Sequence, residues 1–208
     1  MTDEVEKKRN ALEKLIDWMI ETGQQDIDEY VEKLKSQNPG ITSDNLAKKI
    51  VRRKSMKNGL LGGVTGLGGL ITLPVTVPTD LAVSWKIQVV MALAVAHVYG
   101  HNVKTADVKT DIYLILAGDS AKEALKRVGV EVSKGVTKKA VSKYITKEVM
   151  KKIWKVIPQK IITKAGEKSL TSFIKIVPLV GAPVGYTFDW VAAKAVGKTA
   201  IKYYSGGG

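Results

Sequence analysis

The chain has 208 residues, 45% of them hydrophobic and 25% charged, with no cysteine. These proportions exclude a disordered chain and suffice for one core, two at most. The absence of cysteine excludes a disulfide scaffold, thiolate metal sites and cysteine nucleophiles, and suits a reducing compartment. Net charge is +13 and unevenly spread: residues 1–58 carry 12 basic and 11 acidic side chains, residues 122–175 carry 15 and 4. Such a concentration points to an anionic partner, nucleic acid or a lipid surface, against the plain alternative of a solvated helix face. The acidic opening Met1-Thr2-Asp3-Glu4 predicts no secretory signal.

Residues 3–22 read as an amphipathic helix, with Leu12, Leu15, Ile16, Met19 and Ile20 at three- and four-residue steps and Gly23 as the stop. A second helix is predicted from Asp26 to Ser36, broken by Asn38-Pro39-Gly40. Ser43 or Asp44 then caps a third, with Leu46, Ile50 and Val51 inward and Arg52, Arg53, Lys54 and Lys57 in its last turn, where the helix dipole favours cations.

From Asn58 to Thr79 no residue is charged, and the stretch includes Gly59, Gly62, Gly63, Gly66, Gly68 and Gly69, then Pro74 and Pro78. Its length can span a bilayer, but its glycines and threonines make it only weakly apolar. Closely spaced glycines let another helix approach the backbone, in lipid or in a soluble core. The expectation is a buried, membrane-apposed or re-entrant helical hairpin, with full insertion as the alternative. Thr79 or Asp80 opens a helix running to Tyr99 and ended by Gly100. Lys86 lies on that helix, six residues from Asp80 and out of reach of a direct pair along it.

Residues 105–128 are predicted as one helix, with Val108, Ile112, Ile115, Leu116, Ala121, Leu125 and Val128 inward and Gly129 as its end. Residues 132–157 are predicted as a long basic amphipathic helix ended by Pro158, continued in the same style over 159–176. A second uncharged Gly/Pro segment holds Pro178, Gly181, Pro183 and Gly185, and Asp189-Trp190 opens the last helix, to about Tyr204. The two Gly/Pro segments resemble each other loosely, each leading to an Asp-opened helix that ends in aromatics. Short strands around Leu70–Val77 are too brief to call a sheet. The fold class is all-α: a compact helical domain with a Gly/Pro-rich apolar hairpin and long basic amphipathic helices. Residues 1–44 are assigned as N-terminal amphipathic helices, 45–205 as the main helical domain and 206–208 as a flexible glycine tail.

The run Gly62-Gly63-Val64-Thr65-Gly66-Leu67-Gly68-Gly69, then Pro78-Thr79-Asp80-Leu81, the Ala-rich helix ending Tyr99-Gly100, and Pro178-Leu179-Val180-Gly181-Ala182 with Gly185 together resemble the EcsC family over residues 45–205. That family takes its name from a bacterial protein associated with an ABC transporter system. The resemblance implies a helical, membrane-associated bacterial protein. It brings no catalytic residues with it.

The sharpest pattern is a lysine ladder, Lys139, Lys143, Lys147, Lys151 and Lys155, at four-residue steps covering about 24 Å of helix axis. Lys134, Lys138 and Lys152 reinforce it, and Glu148 is the one acid between Lys134 and Lys155. The four like-charge pairs cost about 1–2 kcal/mol in all, which anionic headgroups would offset at about 1 kcal/mol per lysine. Val136, Ala140, Tyr144, Ile145, Val149, Ile153 and Trp154 form the opposite, apolar side. These eight lysines are the candidate anionic-surface residues. Gly62, Gly63, Gly66, Gly69, Pro74, Pro78, Asp80, Pro178, Gly181 and Gly185 are the candidate packing or membrane-contact residues of the apolar segments.

Nucleic acid competes as partner, but Arg127 is the only arginine after residue 58 and base readout prefers arginine. His97 and His101 stand four apart, with Gly100 between them and Asp107 as the nearest further ligand, a poor metal set. No phosphate loop or Ser–His–acid arrangement is present. Asp80 and Asp189 read as helix caps, or alternatively as a carboxylate pair of an enzyme site. Trp85, Trp154 and Trp190 read equally as interface anchors or core. No catalytic, cofactor or metal site is assigned. The expectation is a non-enzymatic cytoplasmic protein, peripheral to or shallowly inserted in a membrane, with an anionic lipid surface and a membrane-protein partner.

Overall fold

A computed structural model describes residues 2–61, 79–118, 120–132, 136–144, 146–153 and 181–206. Every regular element among them is helical: α1 (Thr2–Gln24), α2 (Ile27–Ser36), α3 (Ser43–Leu61), α4 (Thr79–Val98), α5 (Asp107–Ala117), α6 (Ser120–Arg127), α7 (Lys138–Ser142), α8 (147–153) and α9 (Gly181–Tyr204). The hairpin residues Gly62, Gly63, Gly66, Gly69, Pro74 and Pro78, the Leu70–Val77 stretch, Pro178, Lys134 and Lys155 lie outside the described residues.

α4 is the centre. Its apolar residues run all round the helix rather than along one stripe, and Val89 and Met91 to Ala96 are fully buried. A helix apolar on every side must be enclosed, and α1, α2, α3, α5 and α9 pack around this one. α1 contributes Leu15, Ile16, Met19 and Ile20, four of the five residues of the predicted stripe, and α2 contributes Ile27, Val31 and Leu34. Acids in the first turn of α2 (Asp28, Glu29) and lysines in its last (Lys33, Lys35) match the helix dipole. Gly100, in the left-handed region at φ +77°, ends the α4 turn.

Contacts between helices set their directions. Tyr99 donates to Asp44 at 2.6 Å and Asn58 to Ser84 at 3.0 Å, so α3 and α4 run antiparallel. His101, just past α4, meets Tyr204 at the end of α9, so α4 and α9 run the same way. The C-terminus of α3 and the N-termini of α4 and α9 therefore share one end of the bundle. Both uncharged Gly/Pro sequences attach at that end.

Five expectations need correction. The third helix is capped by Thr42, whose hydroxyl accepts from Asn45 N at 3.3 Å, not by Ser43 or Asp44. It continues to Leu61, so Arg52, Arg53, Lys54 and Lys57 are not its last turn. The predicted 105–128 helix is two helices, parted at Gly118, whose φ +57° and ψ −126° suit glycine alone. The predicted 132–157 helix is interrupted: α7 is five residues long and the chain turns at Lys143-Tyr144 before α8. Two threonines explain that break by capping separate starts, Thr137 accepting from Ala140 N and Thr146 from Val149 N, each at 3.2 Å. Finally, α9 begins at Gly181, so Gly185 and Asp189 are inside the helix and Asp189 is not its cap. Pro183 is tolerated there because the first four N–H groups of a helix have no partner within it.

Candidate functional site

The lysine segment keeps its exposed cations but not its single helix. Lys139, Lys143, Lys147, Lys151 and Lys152 are all exposed, and none has an ion-pair partner among the described residues. Val141 and Ile153 are fully buried and fasten both ends of the segment to the core. Tyr144, expected on the apolar side, stands outward instead at 50% exposure, because the turn at 143–144 takes it off the helix face. Glu148 is held below the usual carboxylate range by hydrogen bonds from its own backbone N–H and the Thr146 hydroxyl, helped by Lys151 and Lys152.

Lys138 is the exception in this set. Expected on the anionic-surface face, it points inward, its side chain 19% exposed. Its ammonium lies 3.0 Å from Asp111 and 3.7 Å from Asp107. The cause is a buried carboxylate that needs donors. Asp111, 3% exposed, also accepts from Tyr203 at 2.7 Å and Tyr204 at 3.4 Å. Burial raises the Asp111 pKa, opposed by the Lys138 charge and the Tyr203 and Lys138 hydrogen bonds. Burial, with the Asp111 charge beside them, raises both tyrosines. The His101 imidazole donates to the Tyr204 carbonyl at 3.0 Å. A cavity of about 190 Å³ adjoins this cluster, walled by His101, Thr105, Asp107, Val108, Lys138 and Tyr204 with four neighbours. The buried polar groups around it already hold one another, so the cluster acts as a polar strut tying α5, α7 and α9 together.

Sequence reasoning missed Asp111. It follows Val108 by three residues and precedes Ile115 by four, so it lies on the inward stripe of α5, which is the signal that marks a buried carboxylate. Tyr203 and Tyr204 carried no comparable signal.

The other candidates have their own partners. His97 lies 3.2 Å from Asp28, while His101 is on Tyr204, so the two rings serve separate contacts. Among the described residues no group of three or more His, Asp and Glu is arranged to hold a metal ion. Lys86 sits 4.2 Å over the Trp18 ring, a cation–π contact that answers its need for a partner. Lys194 covers Trp190 in the same way at 4.6 Å, and Trp85 is half-buried against the core. Asp80 lies in the first turn of α4.

No curated protein and no solved structure matches the chain significantly. A family model does, and its match extends beyond the glycine-rich run and the late Pro-Leu-Val-Gly-Ala segment to take in α1 and α2, whose side chains close the core around α4. Spanning residues 3–205, it shows that the chain belongs to the EcsC protein family.

Proposed function

We propose that this chain is a non-enzymatic, peripheral membrane protein that binds anionic lipid surfaces at the cytoplasmic face through the lysines of segment 138–153. The observation that carries the proposal is the outward set Lys139, Lys143, Lys147, Lys151 and Lys152 around exposed Tyr144, with Glu148 as the only acid among them. Cations following so closely along one short segment repel one another, and a layer of anionic headgroups offsets that at about 1 kcal/mol per lysine. Buried Val141 and Ile153 hold the segment on the core, which limits the ordering cost on binding. A tyrosine beside lysines suits headgroup depth, since its ring is apolar and its tip polar. No helix among the described residues is long and apolar enough to cross a membrane, and the proposal requires none.

Flotation on vesicles tests it. The protein should rise with phosphatidylglycerol-containing vesicles and stay down with phosphatidylcholine alone. The triple variant K143E/K147E/K151E should lose partitioning on the order of a hundredfold. Equal recovery on both vesicle types overturns the proposal. So does failure to float together with a shift of DNA in gels, which would make nucleic acid the partner of these lysines.

A further inference from the structure

We infer that the outer face of the α3–α9 pair is a second docking surface for an anionic bilayer, so that the molecule lies with this helix pair against the headgroups. The inference rests on anionic lipid being the partner, and it concerns residues outside segment 138–153.

α3, α4 and α9 all pack against one another. The sides of α3 and α9 turned from α4 therefore face the same way. On α3 that side carries Lys48, Arg52 and Met56, with Arg53 and Lys57 on its flank, all exposed. On α9 it carries Val191, Lys194, Lys198 and Lys202, again all exposed. The sequence places no acid on α3 after Asp44, or on α9 after Asp189. Asp44 itself accepts from Tyr99. The face is thus basic along its length without acids interspersed, whereas the exposed side of α2 mixes both signs.

Two large apolar side chains stand out on it, Met56 at 44% and Val191 at 52% exposure. Val51 meets Gly197 where the helices touch. Five residues on from Val51 is Met56, and six residues back from Gly197 is Val191. In an antiparallel pair these lie within about one residue rise of the same height. Apolar side chains at one level, ringed by Lys and Arg whose stems can lie along the surface, form the composition of an interfacial binder. Phosphates of a nucleic acid would engage the cations but offer Met56 and Val191 nothing. A second copy of the chain would bring like charges together.

The absence of cysteine permits single-site labelling. Met56→Cys and Val191→Cys, each carrying an environment-sensitive fluorophore, should shift to the blue on phosphatidylglycerol vesicles. Glu21→Cys on the exposed side of α1 should not. The variant R52Q/K194Q/K198Q/K202Q should lose partitioning roughly tenfold or more, with its far-ultraviolet circular dichroism unchanged. If the wild type floats but neither label responds, the α3–α9 face is not the docking surface, and the role of segment 138–153 stands. If the labels respond and the α3–α9 variant loses binding while K143E/K147E/K151E does not, the inference holds and the segment reading fails. If the wild type binds no anionic vesicle, both fail.

Discussion

Burial outweighs charge pairing at Asp111. Its pKa is raised even with Lys138, Tyr203 and Tyr204 donating to it. A folded-state pKa above the unfolded one favours the folded state in acid, and that contribution is lost as pH rises through the folded value. Lys138 is the strongest counterweight. Replacing it, as in Lys138→Met, should lower stability at neutral pH by about 3 kcal/mol, the low end for breaking a buried pair because the lysine keeps some exposure. The loss should shrink in mildly acidic solution, where Asp111, its pKa already raised by burial, takes up a proton in place of its lost partner. Denaturant unfolding in the two conditions reads this directly, and an equal loss in both would assign Lys138 a packing role. The residue was misread from the sequence for a physical reason. Its place beside Lys139 made it a reinforcement of the lysine ladder, while its actual orientation depends on a carboxylate 27 positions away.

At the scale of elements, glycine matters most where two helices touch. Close packing was expected of Gly66 and Gly69, which lie outside the described residues; the close approach seen is at Gly197. A Cβ there would sit 2.4 Å from Val51 Cγ1 and 2.7 Å from its Cγ2. Val51 is β-branched and on a helix, so it has little freedom to turn away. Overpacking costs about 1–3 kcal/mol, while Gly→Ala in a helix returns up to about 1 kcal/mol. Gly197→Ala should therefore be neutral to destabilising by about 2 kcal/mol, and adding Val51→Ala should restore part of any loss. A thermal-melt comparison of single and double variants checks the coupling, and additive effects would place the strain elsewhere. Among the described residues helix existence was legible: the stripe of α2, the described part of the α1 stripe and the stop at Gly100 stand as read. Boundaries were less so. Gly118 split an expected helix because its backbone conformation matters more than the apolar stripe that runs past it. Thr146 restarted a helix because a threonine that caps a new turn cannot also continue the old one.

Over the whole molecule, the sequence shows how much charge there is but not where the helices carry it. Counting along the chain singled out 122–175 and left Arg52 and Arg53 as a helix-end effect. Only the pairing of α3 with α9 brings their cations onto a common face with Lys194, Lys198 and Lys202. That pairing is between residues far apart in the chain and leaves no local trace. It also puts the points where both uncharged Gly/Pro sequences join α3, α4 and α9 on one side of the bundle, an arrangement no spacing rule predicts. Salt separates the contributions of charge and apolar contact. Raising ionic strength from about 0.1 M to about 1 M shortens the screening length from about 10 Å to about 3 Å. If cations on segment 138–153 and on α3 and α9 hold the protein to anionic vesicles, the bound fraction should fall steeply over that range. Met56, Val191 and Tyr144 supply too little apolar area to retain it alone, since each is already about half covered by its neighbours. Retention unchanged at high salt would mean that apolar contact carries the binding, and the electrostatic account of both surfaces would fall with it.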